Sequence, residues 1–281
     1  MRFAITFGQL NPAFWLDAAV AADAAGFESV WLPEHLVLPV EMSGQLVPGE
    51  EHPPIPASTP VYDVGSWLGF VAARTTRIRL GTFVYLLGIR HPFVGARLFA
   101  TLDRISGGRV DVGVGAGWMT NEWEAAGLDP RTRGARLDEA IDVCRRLWTE
   151  DVIEHDGEHF PFPPVMFEPK PAQARLPIVV GGESIRALRR AAERGDGWIG
   201  MSHTPASVAP RIARLRELEA AAGRDTPVEV TVMGQVADAA DVEAFAAAGV
   251  DRLIVVPWRR SPEAVEAVGS FADRFIRPVT S

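Results

Sequence analysis

The sequence predicts an α/β fold of the (β/α)₈ TIM-barrel class. Short β-rich runs alternate with longer helical patterns from end to end, and each class numbers eight. Alanine-rich helices also end at glycine directly before a strand in AADAAGFESVW, AAERGDGWI and AFAAAGVDRLIVV. An open doubly wound sheet usually has fewer strands, so eight alternations favour a closed barrel. We therefore expect one barrel domain over residues 1–281, with functional side chains at the carboxyl ends of its strands.

The predicted strands are short runs rich in β-branched and aromatic residues. They lie at residues 3–8, 29–33, 78–86, 109–115, 177–181, 197–201, 228–233 and 252–257. A segment of helical periodicity follows each strand along the chain. These segments lie at residues 12–25, 62–75, 92–105, 131–149, 184–194, 205–222, 238–248 and 261–276.

Two segments interrupt the alternation. Residues 36–61 are rich in Pro, Gly and Glu and follow the second strand, so they are predicted to form a long loop on the active face, as lids often do. Residues 151–176 contain the turn signal HDGEH and then a proline-rich run, which predicts a hairpin inserted before the fifth strand. Neither segment is predicted to be a second domain.

Composition and charge exclude several classes of protein. The formal charge of -8 argues against general nucleic-acid binding, which depends on basic patches, and favours a small-molecule partner. No apolar run approaches the roughly 18 residues that span a membrane. MRFAITFGQL enters a strand pattern without the features of a signal peptide, so we expect the chain in the cytoplasm. Cys144 is the only cysteine and is expected in the core, which excludes an internal disulfide.

The run DVGVGAGWMTNEW places glycines at 113, 115 and 117, at the end of the fourth strand. A dinucleotide-binding fingerprint needs G-x-G-x-x-G, so this spacing excludes it. Two interpretations remain open. The backbone could approach an anion or a planar ring closely, or small residues could simply fit the crowded barrel interior.

The second glycine site is VVGGESIRAL, where Gly181 and Gly182 end the fifth strand and a helix opens at Ser184. A helix start at a barrel mouth offers free N–H groups and a positive dipole end to a phosphate. The alternative is a tight turn that Ser184 caps. Because two such sites follow neighbouring strands, a phosphorylated cofactor is predicted.

Glu34 and His35 follow the second strand directly. A histidine at that position could exchange a proton with a bound ring or substrate, because imidazole titrates near neutral pH. His91 precedes a proline that starts a helix, so it is predicted to cap that helix or to lie at a cofactor edge. His155 and His159 flank a turn, which argues against a metal site, and none is predicted.

Three of the eight tryptophans lie near strand ends, where broad apolar surfaces can wall a planar cofactor or substrate. Trp31, Trp118 and Trp198 are therefore predicted to line a substrate pocket. Trp67 and Trp148 lie on helical faces and are expected to pack in the core.

Several motifs together are similar to the luciferase-like monooxygenase superfamily, in particular to its oxidoreductases that depend on the deazaflavin coenzyme F420. They are EH after the second strand, LGT in the third, RHP, SGGR, GVGAGW, RGARLDE and the GG pair after the fifth. The resemblance extends over nearly the whole chain. Together these motifs are specific for the superfamily, whereas any one of them alone is weak evidence for it.

The resemblance implies a (β/α)₈ barrel that binds its cofactor at the carboxyl ends of the strands. A non-prolyl cis peptide against the deazaflavin ring would map to Phe83 and Val84, and His35 would lie beside that ring. Cofactor phosphate would be bound by the loops after the fourth and fifth strands, namely by Gly115, Gly117, Asn121, Gly181 and Gly182. Relatives are commonly dimers, so a homodimer is expected.

Two positions depart from the glucose-6-phosphate dehydrogenases of this superfamily. Trp118 stands where they carry a glutamate, and Glu34 stands where they carry an aspartate before the histidine. The first change favours an apolar or aromatic substrate over a sugar phosphate. The sequence thus predicts an enzyme that transfers a hydride between F420 and an organic substrate, with His35 and Glu34 as catalytic residues. The alternatives are an FMN-dependent monooxygenase and a non-catalytic carrier or sensor of a flavin or deazaflavin.

Overall fold

Eight parallel strands close into a barrel in the computed structural model, which describes residues 1–8, 10–46 and 55–277. Along the chain they are β1 (Arg2–Thr6), β2 (Ser29–Leu32), β3 (Arg79–Thr82), β4 (Val110–Val114), β7 (Ile178–Gly181), β8 (Gly197–His203), β9 (Glu229–Gly234) and β10 (Arg252–Val255). Two further strands, β5 (Val152–His155) and β6 (Phe162–Met166), pair antiparallel outside the barrel, between β4 and β7. The predicted fold class is confirmed.

Helices surround the barrel. They are α1 (Trp15–Ala25), α2 (Val64–Ala72), α3 (Pro92–Ser106), α4 (Thr120–Ala125), α5 (Arg133–Thr149), α6 (Ile185–Arg194), α7 (Pro205–Ala221), α8 (Ala239–Ala247) and α9 (Ala264–Phe275). All but α4 correspond to a predicted segment. None within the described ranges is long and apolar enough to cross a membrane.

Glycines end α1 and α8 as the sequence predicts. Gly26 has φ 90° and Gly249 has φ 94°, the left-handed conformation that glycine adopts without a steric penalty. Gly195 after α6 is extended instead, with φ -85°. It is kept small by crowding, since a Cβ there would lie 3.0 Å from the carbonyl oxygen of Ala191.

Trp31 fills the interior of the barrel. Its side chain is fully buried and packs with Ala4, Ile199 and other strand residues that point inward. A Cβ at Gly81 would lie 2.4 Å from the Trp31 ring, so the neighbouring strand must carry glycine there. The indole thereby replaces several smaller side chains in one layer of the core.

Charged side chains pair at the amino ends of the strands. The guanidinium group of Arg252, which is almost fully buried, donates to both carboxylate oxygens of Glu28 at 2.7 Å and lies 2.7 Å from Glu229. Arg79 donates to both oxygens of Asp111 at 3.0 and 2.6 Å. Burial opposes the ionisation of Glu28, but Arg252 outweighs it and holds the pKa of Glu28 below its usual value.

Candidate functional site

The chain leaves β3 at Phe83, where the peptide bond to Val84 is cis. The third strand is therefore shorter than the predicted run 78–86. After the cis bond Tyr85 returns to β4, donating its N–H to the carbonyl of Gly113 at 2.8 Å and accepting from the N–H of Gly115 at 3.1 Å. Residues 83 and 84 thus form a bulge at the carboxyl end of the barrel, and both are partly exposed there.

Glycines at the carboxyl ends of β4 and β7 make room for the bulge. A Cβ at Gly115 would lie 2.4 Å from the Val84 side chain, and one at Gly181 would lie 2.6 Å from it. Of the two interpretations that the sequence left open, the geometry supports close packing at these glycines. Gly117 and Gly182 have φ of 76° and 126°, and they turn the backbone where each strand meets its loop.

His35 lies at the same end of the barrel as the bulge, and its imidazole is hydrogen-bonded to a buried carboxylate. Its Nδ1 lies 3.0 Å from Oε2 of Glu122, whose side chain is fully buried in α4. The other oxygen of Glu122 accepts from the N–H groups of Leu36 at 2.6 Å and Val37 at 3.4 Å. One carboxylate therefore orients both the imidazole and the start of the loop after β2.

The same helix holds that loop further along. Thr120 donates its N–H to the carbonyl of Ser43 at 2.9 Å. The Asn121 side chain accepts from the N–H of Ser43 at 3.2 Å and donates to the carbonyl of Glu41. A Cβ at Gly44 would lie 1.9 Å from the carbonyl oxygen of Trp118, so the loop backbone is packed directly on the end of β4. The amide of Asn121, predicted to bind phosphate, is used to hold the loop; residues 47–54 of the predicted loop lie outside the described residues.

Glu34 is buried and paired. Its carboxylate accepts from Arg90 at 2.5 Å and from the N–H of Leu86 at 2.9 Å. Burial opposes the charge of Arg90, but the hydrogen bond and charge of Glu34, with smaller contributions from Tyr85 and Glu122, together raise the pKa of Arg90 above its usual value. The geometry thus gives Glu34 the task of fixing the segment that follows the bulge, rather than contact with a reacting group.

Only one of the three predicted pocket tryptophans has surface at the mouth. Trp118 is partly exposed, and its ring lies edge-on to His35 with centroids 6.4 Å apart. Trp31 and Trp198 are fully buried, so neither can line a substrate pocket as predicted. Trp31 fills the barrel interior, and the indole N–H of Trp198 donates to the carbonyl of Gly182 at 3.0 Å. Proximity to a strand end did not distinguish side chains that point into the core from those that face the mouth.

The junction after β7 is a capped helix start. Ser184 is the N-cap of α6, and its hydroxyl accepts from the N–H of Ala187 at 3.2 Å. The cap leaves the other N–H groups of the first turn facing the mouth. Neighbouring Glu183 is buried and accepts from His203 at 3.1 Å and from the N–H of Met201 at 2.7 Å. This carboxylate, which the sequence does not single out, fixes the loop that carries Gly182.

A cleft of about 780 Å³ extends outward from this junction, between the first turns of α5 and α6. Ala116 and Ser184, which follow the ends of β4 and β7, are among its lining residues. Its walls carry five arginines, here called the arginine cleft: Arg131, Arg133, Arg186, Arg189 and Arg190. Sequence reasoning missed it because the two arginine runs are about fifty residues apart and become neighbours only when β4 pairs with β7.

His91 has the capping role that the sequence allows. It is the N-cap of α3, and its Nδ1 accepts from the N–H of Phe93 at 3.3 Å. Burial lowers the pKa of His91 below its usual value. His155, on the hairpin, lies 3.1 Å from a carboxylate oxygen of Glu139.

Known proteins resemble this chain both in sequence and in fold. An uncharacterized protein of Mycobacterium tuberculosis is 33% identical over 260 residues, which cover 90% of this chain and 85% of that protein. An F420-dependent glucose-6-phosphate dehydrogenase of Nakamurella multipartita is 36% identical over 197 residues, which cover 69% of this chain and 53% of that enzyme.

Among solved structures, an F420-dependent secondary alcohol dehydrogenase in complex with an F420-acetone adduct has a TM-score of 0.79. It covers 98% of each chain at 19% identity, and at that identity the similarity shows the fold alone. A family model described as luciferase-like monooxygenase matches residues 4–271. With nearly its whole length matched, the chain belongs to the luciferase-like monooxygenase family.

Proposed function

We propose that this protein is an oxidoreductase that transfers a hydride between the deazaflavin coenzyme F420 and an organic substrate with an apolar or aromatic part. The observation that carries the proposal is the meeting, at one end of the barrel, of the Phe83–Val84 bulge with the His35–Glu122 pair. The F420-dependent dehydrogenase of Nakamurella multipartita, at 36% identity, supports the choice of cofactor.

The residues present fit a flat ring joined to a phosphate. A Cβ at Gly115 or at Gly181 would contact the side chain of Val84 in the bulge. Because both residues are glycines, no side chain at these positions separates the bulge from a ring that lies on it. Gly182 and the first turn of α6 offer backbone N–H groups to the phosphate. When bound, the coenzyme supplies the ring carbon that exchanges a hydride with the substrate.

His35 can exchange the proton that accompanies the hydride. As a carboxylate, Glu122 only accepts hydrogen bonds, so Nδ1 of His35 must be the donor in their 3.0 Å contact. In the neutral imidazole this leaves the lone pair on Nε2, which can take a proton from a substrate heteroatom and return it in the reverse direction. The proton that accompanies hydride transfer would thus pass between the substrate heteroatom and Nε2 of His35.

The other predicted residues have supporting roles in this proposal. Glu34 acts through Arg90 and the backbone of Leu86 to hold the bulge in place. The Trp118 ring presents an apolar surface beside His35, where it would orient the substrate and exclude water. Asn121 is assigned to the loop rather than to phosphate.

The test is cofactor binding and turnover by the purified protein. We expect F420 to bind in the micromolar range, followed by its absorbance, and to be reduced or oxidised with a substrate panel of alcohols, ketones and aromatic compounds. FMN that binds in its place and supports turnover dependent on oxygen would establish the monooxygenase alternative. Failure of F420 to bind would remove the proposal.

A pair of variants separates an enzyme from a carrier or sensor. His35→Ala and Trp118→Ala should reduce turnover far more than coenzyme affinity, because neither side chain is assigned to the phosphate. His159→Ala is the control, since Nε2 of His159 has no hydrogen-bond partner among the described residues and lies on the hairpin outside the barrel. A wild-type protein that binds F420 yet turns over nothing in the panel would favour the carrier.

A further inference from the structure

The arginine cleft carries more positive charge than its own carboxylates balance. Two acidic side chains line it, Asp138 and Glu193. Asp138 pairs with Arg190 at 2.5 Å, and Glu193 pairs at 3.0 Å with Arg194, just outside the cleft. The cleft is thus strongly basic on a chain whose formal charge is -8.

Three of its arginines have no carboxylate partner within the described ranges. Arg133 donates only to the carbonyl oxygen of Pro130, at 2.8 Å. The guanidinium groups of Arg186 and Arg189 form no hydrogen bond or ion pair with residues 1–8, 10–46 or 55–277. At the opposite end of the barrel, by contrast, Arg79 and Arg252 lie against carboxylates.

Two of these arginines also lie where a helix disfavours a cation. Arg133 is the first residue of α5 and Arg186 the second residue of α6, and neither helix has an acidic residue in its first turn. The positive end of a helix dipole favours anions and destabilises cations there by about 0.3–1 kcal/mol. Arginines at two converging helix starts therefore disfavour the free protein and favour a bound anion.

We propose that the arginine cleft binds an extended polyanion, the row of tail carboxylates that F420 carries beyond its phosphate. The inference rests on the proposed function and adds the part of the coenzyme that the barrel mouth does not hold. Arg186 and Arg189 are three residues apart on one face of α6, which separates their Cβ atoms by about 5–6 Å. They can therefore contact successive carboxylates rather than share one phosphate.

Continuity with the mouth favours the tail over an unrelated anion. Ala116 and Ser184 both line the cleft, and they follow Gly115 and Gly182, at the proposed phosphate position, by one and two residues. Arg189 lies more than one turn further along α6. A ligand that ends at its phosphate, such as FMN, would not extend as far as Arg189. The cleft thus supplies a physical basis for choosing F420 over FMN.

The test measures coenzyme affinity by fluorescence titration, with no turnover involved. Wild-type protein, an Arg186→Ala/Arg189→Ala double variant and FMN controls are compared, using F420 with a long glutamate tail and F420 with no tail glutamates. Two partly exposed ion pairs contribute up to about 1 kcal/mol each, so the double variant should bind the long-tailed form about tenfold more weakly. The tail-less form should bind both proteins equally.

Arg74→Ala/Arg104→Ala is the matched control, because Arg74 follows α2 and Arg104 lies in the last turn of α3, both at the opposite end of the barrel and away from the cleft. Its affinities should equal those of wild type. Added salt should weaken the binding of the long-tailed form more than that of the tail-less form, because salt screens exposed charges.

The outcomes separate the two proposals. If long-tailed and tail-less forms bind wild type equally, or if the double variant keeps wild-type affinity for both, the cleft inference is wrong while the proposed function stands. If no form of F420 binds, the proposed function fails and this inference fails with it. Thermal denaturation of each variant shows whether a loss of affinity reflects a loss of fold.

Discussion

The amino ends of the strands and the arginine cleft at the opposite end of the barrel treat charge in opposite ways. At the amino ends of the strands, Arg252 and Arg79 are buried or half-buried and each meets carboxylates at hydrogen-bond distance. At the carboxyl ends, Arg133 and Arg186 line an open cleft and have no carboxylate partner within the described residues. The chain's own carboxylates neutralise the first two arginines, whereas the two arginines of the cleft remain available to an anion.

The difference separates stability from function. A paired buried charge is costly to disturb, because removing one partner leaves the other desolvated and alone. An unpaired exposed charge can be removed with little effect on the fold, since water solvates it in the free protein. The two ends should therefore respond to mutation with different readouts, stability at one and ligand affinity or turnover at the other.

The largest effect on stability is expected at the amino ends of the strands, here called the closed end; the end with the arginine cleft is called the open end. Arg252→Ala leaves Glu28 and Glu229 beside an empty, buried position, and should lower the free energy of unfolding by about 3–5 kcal/mol. Urea denaturation measures it, with Arg186→Ala as the control from the open end, expected to change stability by no more than about 0.5 kcal/mol. Equal losses in the two variants would break the comparison. Arg252→Lys, which keeps the charge, covers the case in which the alanine variant does not fold.

Turnover should depend most strongly on His35. His35→Ala removes the group that exchanges a proton with substrate and should lower kcat about a hundredfold, the scale of general acid–base catalysis. The free energy of unfolding should fall less than in Arg252→Ala, because Glu122 keeps its hydrogen bonds from Leu36 and Val37 when the imidazole is removed. Stopped-flow reduction of F420 measures the first effect and urea denaturation the second. A variant with full turnover would exclude His35 from the chemistry.

The Glu122→Gln variant should distinguish a role in orienting the His35 ring from a role in binding the substrate or the coenzyme. An amide oxygen that accepts from Leu36 turns the amide N–H₂ group towards Nδ1 of His35, which then needs the opposite tautomer. We expect kcat to fall about tenfold while KM and coenzyme affinity stay near wild type. A merely structural role would instead lower stability and raise KM, with kcat retained.

Acid should weaken the ion pairs of Glu28 at the closed end. The folded-state pKa of Glu28 lies below its usual 4.5, so its contribution to stability is complete above that pH and is lost as the pH falls through the folded value. Denaturation midpoints at pH 7 and pH 4 measure the loss. Glu28→Gln should be less stable at pH 7 and should show a smaller dependence on pH. An equal slope in both proteins would remove Glu28 as the source.

The barrel could be predicted because its signals are local. Each strand and major helix repeats a hydrophobic period, and glycine stops such as Gly26 mark where helix gives way to strand. The short helix α4 was missed, since six residues directly after a glycine run show no helical period. The third strand was predicted too long, because the sequence of LGTFVYL does not reveal that the chain leaves the sheet at Phe83.

The site was predicted only in outline, because its contacts join distant parts of the chain. His35 and Glu122 are 87 positions apart, and no local pattern relates them. Trp31 and Trp118 both lie at strand ends, yet one points into the barrel and the other towards the mouth. Trp31 lies within β2, whereas Trp118 lies four residues beyond the end of β4, and no local pattern shows where that strand ends or which face of β2 Trp31 occupies.

One carboxylate at the barrel mouth connects the loop after β2 with the imidazole of His35. Glu122 holds the beginning of the loop after β2 and the imidazole of His35 with its two oxygens. Any movement of Leu36 away from that carboxylate would also disturb the contact that orients the imidazole of His35. The position of the loop after β2 and the orientation of the imidazole of His35 are therefore coupled through one carboxylate.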